Sequence, residues 1–188
     1  MVLKTLKLTN FEGIKTLEIN ADGKSMSVYG DNGTGKTTIA DAQTWLLFGK
    51  DSAFTQNFLP KPRDEQGEEL HNLDTEVEGT YILDDGTEIT LRKVFAETWK
   101  KKRGSTEAVF SGHTVSYYVD GVPKKEKEYT DILESIADIQ ALMLLSMPQY
   151  FPEILDIKMR RELLMALEKD IYEFDVISAC EEDRKSVV

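Results

Sequence analysis

The chain opens on alternation. Leu3, Leu6 and Leu8, with Thr5 and Thr9, set a first strand, and Thr16-Leu17-Glu18-Ile19 continues the polar-apolar rhythm in a second over 14–19. Ala21-Asp22-Gly23-Lys24 carries turn chemistry, and 25–29 reads as a short third strand running into a glycine-rich loop. The period then changes. Ile39, Ala42, Leu46 and Leu47 stand at helical spacing, which predicts a helix over 38–49 with Gly49 as its stop.

Residues 50–73 lose any period and predict an irregular excursion. Strands return over 76–83 and 87–95, joined by Asp84-Asp85-Gly86, a turn that tolerates positive φ. Lys100-Lys101-Lys102-Arg103-Gly104 reads as a charged connection, and further strands are expected over 114–119 and around Val122, with Asp120-Gly121 turning between them. Helices fit 126–137 and 156–167, the second with Asp156 as N-cap candidate and Met159, Leu163 and Leu167 on one face. Residues 171–188 show no decisive pattern.

Composition narrows the class. The 188 residues are 40% apolar and 30% charged, an ordinary globular balance with enough chain for one core. No apolar run approaches the roughly 20 residues that span a bilayer, and the alternating N-terminus is unlike a signal peptide, so no membrane is expected and the cytoplasm is the default. The single cysteine, Cys180, cannot pair within the chain. His71 and His113 are isolated in sequence and predict no metal site or catalytic triad. With 34 acidic against 23 basic residues, the net charge of −11 makes any nucleic-acid contact local. Trp99 beside Lys100 to Arg103 is the place where such a contact could form, and a solvated connection is the plainer reading.

One motif carries chemistry. Gly30-Asp31-Asn32-Gly33-Thr34-Gly35-Lys36-Thr37 satisfies G-x-x-x-x-G-K-[ST], between an apolar segment and an amphipathic helix. Gly30, Gly33 and Gly35 let the backbone curl around a phosphate, and Asn32 and Thr34 complete the loop whose N–H groups point inward. The helix N-terminus favours the same anion. Lys36 adds a full charge toward the β- and γ-phosphates, the Thr37 hydroxyl is placed for Mg²⁺, and Thr38 can reach the α-phosphate. A nucleotide's phosphates and Mg²⁺ are therefore the expected ligands, and the lack of an Asn-Lys-x-Asp guanine motif in the sequence points to ATP over GTP.

Together with Leu8-Thr9-Asn10-Phe11-Glu12-Gly13-Ile14 and Trp45-Leu46-Leu47-Phe48-Gly49, this loop resembles the N-terminal lobe of SMC, SbcC and RecF-type ATPases. Tyr117-Tyr118-Val119-Asp120-Gly121-Val122-Pro123, Tyr150-Phe151 and Arg160-Arg161-Glu162-Leu163-Leu164 extend it toward prophage-encoded SbcC-like ATPases. The resemblance implies a mixed α/β fold: a P-loop NTPase lobe of an ABC-type ATPase head, with an antiparallel strand-rich part and a helical part. It implies a lobe over 1–170 and a tail over 171–188 leading toward a coiled coil. A second, C-terminal lobe and a homodimer partner head would complete an ATP hydrolase of DNA repair or recombination, with DNA and a nuclease subunit as further partners. Gln149 matches the family glutamine that senses Mg²⁺ and the attacking water. Family members often carry a basic residue where this chain has Glu12, so no nucleotide contact is carried over to that segment.

Two look-alikes are set aside. Tyr81-Ile82-Leu83-Asp84-Asp85 mimics a Walker B strand, but Gly86 and the alternation after it predict a hairpin turn. Leu145-Ser146-Met147-Pro148-Gln149 mimics the family signature without its glycines, and Pro148 has no N–H to offer. The second lobe is thus missing from this sequence, which predicts weak nucleotide binding and very slow turnover in isolation. The phosphate-loop strand also lacks an evident parallel neighbour, so its partner is expected from elsewhere. Two alternatives remain: a complete small P-loop kinase, and a non-hydrolysing nucleotide-sensing scaffold lobe.

Overall fold

The computed structural model describes residues 1–55, 58–101 and 108–167; Lys102, Arg103, Cys180 and the tail over 171–188 lie outside the described residues. The chain divides into two compact units, Met1–Met147 and Pro148–Val188.

The first unit is built on a six-stranded antiparallel sheet in the order β2-β1-β3-β4-β5-β6. Its strands are β1 (Val2–Phe11), β2 (Ile14–Asn20), β3 (Thr75–Ile82), β4 (Glu88–Lys101), β5 (Ala108–Val119) and β6 (Val122–Lys124). Period-two patterning puts one set of side chains on the packed face. In β3, Thr75, Val77, Gly79 and Tyr81 are buried while the residues between them are only half-buried. The register then runs apolar rows across the sheet: Leu6 opposite Gly79, Gly79 opposite Leu91, and Leu91 opposite Val119.

Helices α1 (Lys36–Phe48) and α2 (Glu126–Ile136) supply the rest of this core. Ala42, Trp45, Leu46 and Leu47 of α1 and Tyr129 and Leu133 of α2 join Leu6, Leu8, Phe11, Val77, Tyr81 and Leu91 in one buried cluster. Gly79 lets α1 approach the sheet, because a Cβ there would stand 2.7 Å from Leu46 Cδ2. Gly49 ends α1 at φ 71, its amide donating to the Trp45 carbonyl, as its position in the sequence predicts.

Several elements differ from the pattern. Residues 25–29 form no strand, and among the described residues they make no ladder contacts. β1 is flanked on both sides, by β2 and β3, so the sheet offers this segment no free central edge. Helix α1 starts at Lys36, two residues early, because the loop's own backbone already turns into it. Strand β4 runs on to Lys101 and β5 begins at Ala108, so Lys100 and Lys101 belong to a long hairpin arm rather than to a connection. Helix α3 (Ile139–Ser146) went unpredicted: its nearly continuous apolar run has no helical period, and only Asp138, whose side chain accepts from the Gln140 and Ala141 amides, marks its start.

The excursion over 50–73 is irregular, as expected, but well anchored. Phe58 and Leu59 pack against the core, and the Pro60 carbonyl accepts from the Glu12 amide at 2.8 Å. Lys61 is buried and bonded to Glu97 of β4, which also receives the Asn72 amide, His71 and the Trp99 indole. Burial raises the Glu97 carboxyl, yet these partners outweigh it and hold it down to about 2. His71 and His113 share a neighbour, since both rings pack edge-on against Phe110. Sequence separation hid this shared neighbour, which β5 presents to a residue of the excursion.

The second unit holds a π-helical turn over Tyr150–Ile154 and helix α4 (Ile157–Leu167). Asp156 caps α4 as predicted, its carboxylate accepting from the Met159 amide at 2.8 Å. Among the described residues no helix is long and apolar enough to cross a membrane.

Candidate phosphate-binding site

The loop between residue 30 and helix α1 needs two residues in the left-handed region, and both are glycine: Gly33 at φ 82 and Gly35 at φ 89. Gly35 is the N-cap of α1, so the helix begins at Lys36 with its first N–H groups facing the loop. Gly30 serves differently. A Cβ on it would meet Thr34 Oγ1 at 2.8 Å, so its bare backbone lets the loop close on itself. Thr34 Oγ1 donates to the Asp31 carbonyl at 2.8 Å and locks that closure.

The resulting concavity has a volume of about 400 Å³ and is lined by Asn32 through Thr38 and by Gly13 and Ile14. Seven consecutive loop and helix residues therefore face one space. Ile14 forms its floor, lying 3.3 Å from the place a Gly35 Cβ would take. Lys36 Nζ folds back across the mouth and donates to the carbonyls of Gly30 at 2.7 Å and Asp31 at 2.6 Å.

Of the residues expected from the sequence, Asn32, Gly33, Thr34, Gly35, Lys36, Thr37 and Thr38 come together in this lining, and Gly30 contributes from behind it. Gln149 belongs to the second unit. It is exposed there, and its carbonyl accepts from the Glu153 amide at 3.0 Å. The two look-alikes behave as hairpin and helix end. Gly86 donates to the Leu83 carbonyl, Leu83 to that of Thr87, and Thr87 bonds to Asp85, which closes a β-turn between β3 and β4. Ser146 is the last residue of α3, whereas an anion-binding signature needs a helix start.

One residue behind the lining makes a contact that the sequence does not predict. The β1–β2 turn places Glu12 so that its Oε2 accepts from Thr38 Oγ1 at 2.7 Å. The signal was the break of alternation at Asn10-Phe11-Glu12-Gly13, where Asn10 and Glu12 take φ 50 and 49. Burial raises the Glu12 carboxyl, the Thr38 hydroxyl opposes that, and Asp41 and Asp51 add to the rise.

The chain belongs to the AAA domain family, which matches residues 5–185. Its fold is that of a P-loop NTPase, a mixed α/β lobe with an antiparallel sheet. Among curated proteins it is similar to the DNA replication and repair protein RecF of Bacteroides thetaiotaomicron, 31% identical over 87 residues, 46% of this chain and 22% of the relative. RecF of Clostridioides difficile is 44% identical over 50 residues, 27% of this chain and 14% of the relative. The chain thus spans less than a quarter of the length of these relatives. Among solved structures, one of the recombination mediator protein RecF with ATP aligns at a TM-score of 0.44 and 15% identity, over 66% of this chain and 28% of that one.

Proposed function

We propose that the chain binds Mg-ATP in the 30–38 loop and forms the N-terminal lobe of an ATPase head working in DNA repair or recombination. The observation that supports this most is the cradle itself: seven consecutive residues around one concavity, two obligatory glycines, and a lysine at its mouth. The family and the RecF relatives support the class.

The chemistry follows from the residues. Loop amides and the start of α1 would hold the β- and γ-phosphates, and Lys36 would leave its two carbonyls for the charge that spreads over the γ-phosphate as water attacks. The Thr37 hydroxyl, in the lining beside Lys36, fits an Mg²⁺ ligand, and Mg²⁺ would supply neutralisation of the phosphate charge. Gln149 is our candidate for orienting the attacking water or the metal. Catalysis would require a C-terminal lobe and a second head. The exposed segment before the loop supports that need, with Met26 48%, Val28 43% and Tyr29 88% exposed. A strand feeding a phosphate loop ordinarily lies inside a covered sheet.

Residues Tyr117–Pro123, Tyr150–Phe151 and Arg160–Leu164 lead us to an SbcC-like member with a coiled coil, a nuclease partner and a cytoplasmic setting. A coding frame beyond Val188 that lacks a coiled coil and a Gly-rich signature would redirect the reading to a small kinase or a sensing lobe. For the site, the test is thermal. Mg-ATP should stabilise the chain by RT ln(1 + [L]/Kd) and so raise its melting temperature, and Lys36→Ala should abolish the rise. An equal rise in both proteins would refute the assignment.

A further inference from the structure

The β1–β2 turn brings behind the cradle lining, against Thr38, a carboxylate that the proposed chemistry does not use. Its position is fixed. Glu12 follows the fully buried Phe11, sits at φ 49, and donates its amide to the Pro60 carbonyl at 2.8 Å. From there Oε2 accepts the Thr38 hydroxyl at 2.7 Å, and Thr38 lines the phosphate concavity together with Gly13, the residue next to Glu12. One hydroxyl therefore separates a carboxylate from the space that phosphates would fill.

The surroundings give this carboxylate little relief. Asp41 and Asp51 are buried near it and share its sign. On its other flank lies a recess lined by Glu12, Gly13, Thr55, Phe58, Leu59, Lys61 and Arg63. The Lys61 ammonium there is already bonded to Glu97 and lies 3.9 Å from Glu69. Arg63 is exposed, and among the described residues its side chain has no ion-pair partner. Lys36, across the cradle, is engaged with the carbonyls of Gly30 and Asp31.

We infer that Glu12 sets the affinity of the phosphate loop: its charge opposes the incoming polyphosphate and its hydrogen bond withholds the Thr38 hydroxyl. The inference rests on the reading of the loop as a polyphosphate site. Like charges in partly desolvated surroundings interact more strongly than in water, and the opposition scales with the charge of the ligand. Salt screens it where the concavity opens to solvent. Three consequences follow: Glu12 weakens binding, weakens it more for triphosphate than for pyrophosphate, and weakens it most at low ionic strength.

The test is calorimetric titration of the full chain with Mg-ATP, inorganic triphosphate and pyrophosphate, at low and high salt. Glu12→Gln keeps the length of the side chain and its capacity to bond Thr38. It should bind Mg-ATP about tenfold tighter at low salt, with a smaller gain for pyrophosphate and a shrinking gain as salt rises. Glu12→Met, also uncharged, repeats the comparison if Glu12→Gln melts at a lower temperature. Thr38→Val retains the charge while removing the hydroxyl, and should bind no tighter than the parent. Equal or weaker binding by both neutral variants, or a gain indifferent to ligand charge, would overturn the inference while leaving the phosphate site standing. Absence of binding by the parent to all three ligands would overturn both.

Discussion

Lys93 carries the sharpest chemistry outside the cradle. It stands in a buried row of the sheet, opposite Val77 on one side and Tyr117 on the other, where a period-two pattern calls for an apolar residue. Its Nζ donates to the Trp45 carbonyl at 2.9 Å and faces the rings of Trp45, Tyr117 and Tyr129 at 5.8, 5.4 and 5.1 Å. Burial lowers the ammonium to about 7, against a pull upward from Glu126. The folded state thus binds fewer protons than the unfolded chain between about pH 7 and 10.5, so this group adds stability as pH rises through that window and withdraws it as pH falls toward 7. Tyr81, Tyr117 and Tyr129, all raised by burial, act oppositely near the top of the window, because the unfolded tyrosines ionise first. Comparison with Lys93→Met isolates the lysine. The variant should melt about 5 °C higher at pH 7, with the gap closing by pH 10. A gap independent of pH would mean that the ammonium is not desolvated in the fold.

At the scale of elements, α1 is the part on which the site depends, since its first turn lines the cradle and its last two turns are buried. Gly79 sets its depth. In Gly79→Ala the new Cβ would meet Leu46 Cδ2 at 2.7 Å and the Tyr81 ring at 3.0 Å, so helix or ring must shift. A loss of about 1–3 kcal/mol in urea unfolding is expected. A loss below about 0.5 kcal/mol would show that the close approach is not needed. The sequence revealed this helix through Ile39, Ala42, Leu46 and Leu47 with Gly49 as stop, and revealed both hairpin turns through Asp-Gly pairs, because those signals are local. The phosphate loop was equally plain, being eight consecutive residues whose types follow from backbone geometry. What stayed hidden is what distant segments create together: Glu12 against Thr38, Lys61 and His71 around Glu97, and the shared ring contacts of His71 and His113. Residues 25–29 show the converse, a correct local alternation that finds no ladder because a strand is a property of pairs.

For the whole molecule, the two terminal strands of the sheet discourage pairing, whereas the segment before the phosphate loop is exposed and, among the described residues, outside the sheet. Edge strand β6 is three residues long and contains Pro123, and β2 turns Lys15 and Glu18 outward, so neither invites strand addition. The segment with Met26 and Val28 has no such protection. The isolated chain should therefore associate as its concentration rises into the high micromolar range, and Val28→Lys should return it to monomer without lowering its melting temperature. Light scattering on a size-exclusion column reads both. A parent chain that stays monomeric would count against an unmet pairing need at this segment.

The lysine that bonds two carbonyls of its own loop ties the ring together from within. Two hydrogen bonds from one cation brace the loop where its backbone turns. A nucleotide would arrive as a replacement partner, exchanging two neutral acceptors for anionic oxygens. Recognition at such a ring is a swap of contacts on a prepared frame, with the chain's disorder spent beforehand, when the protein folded.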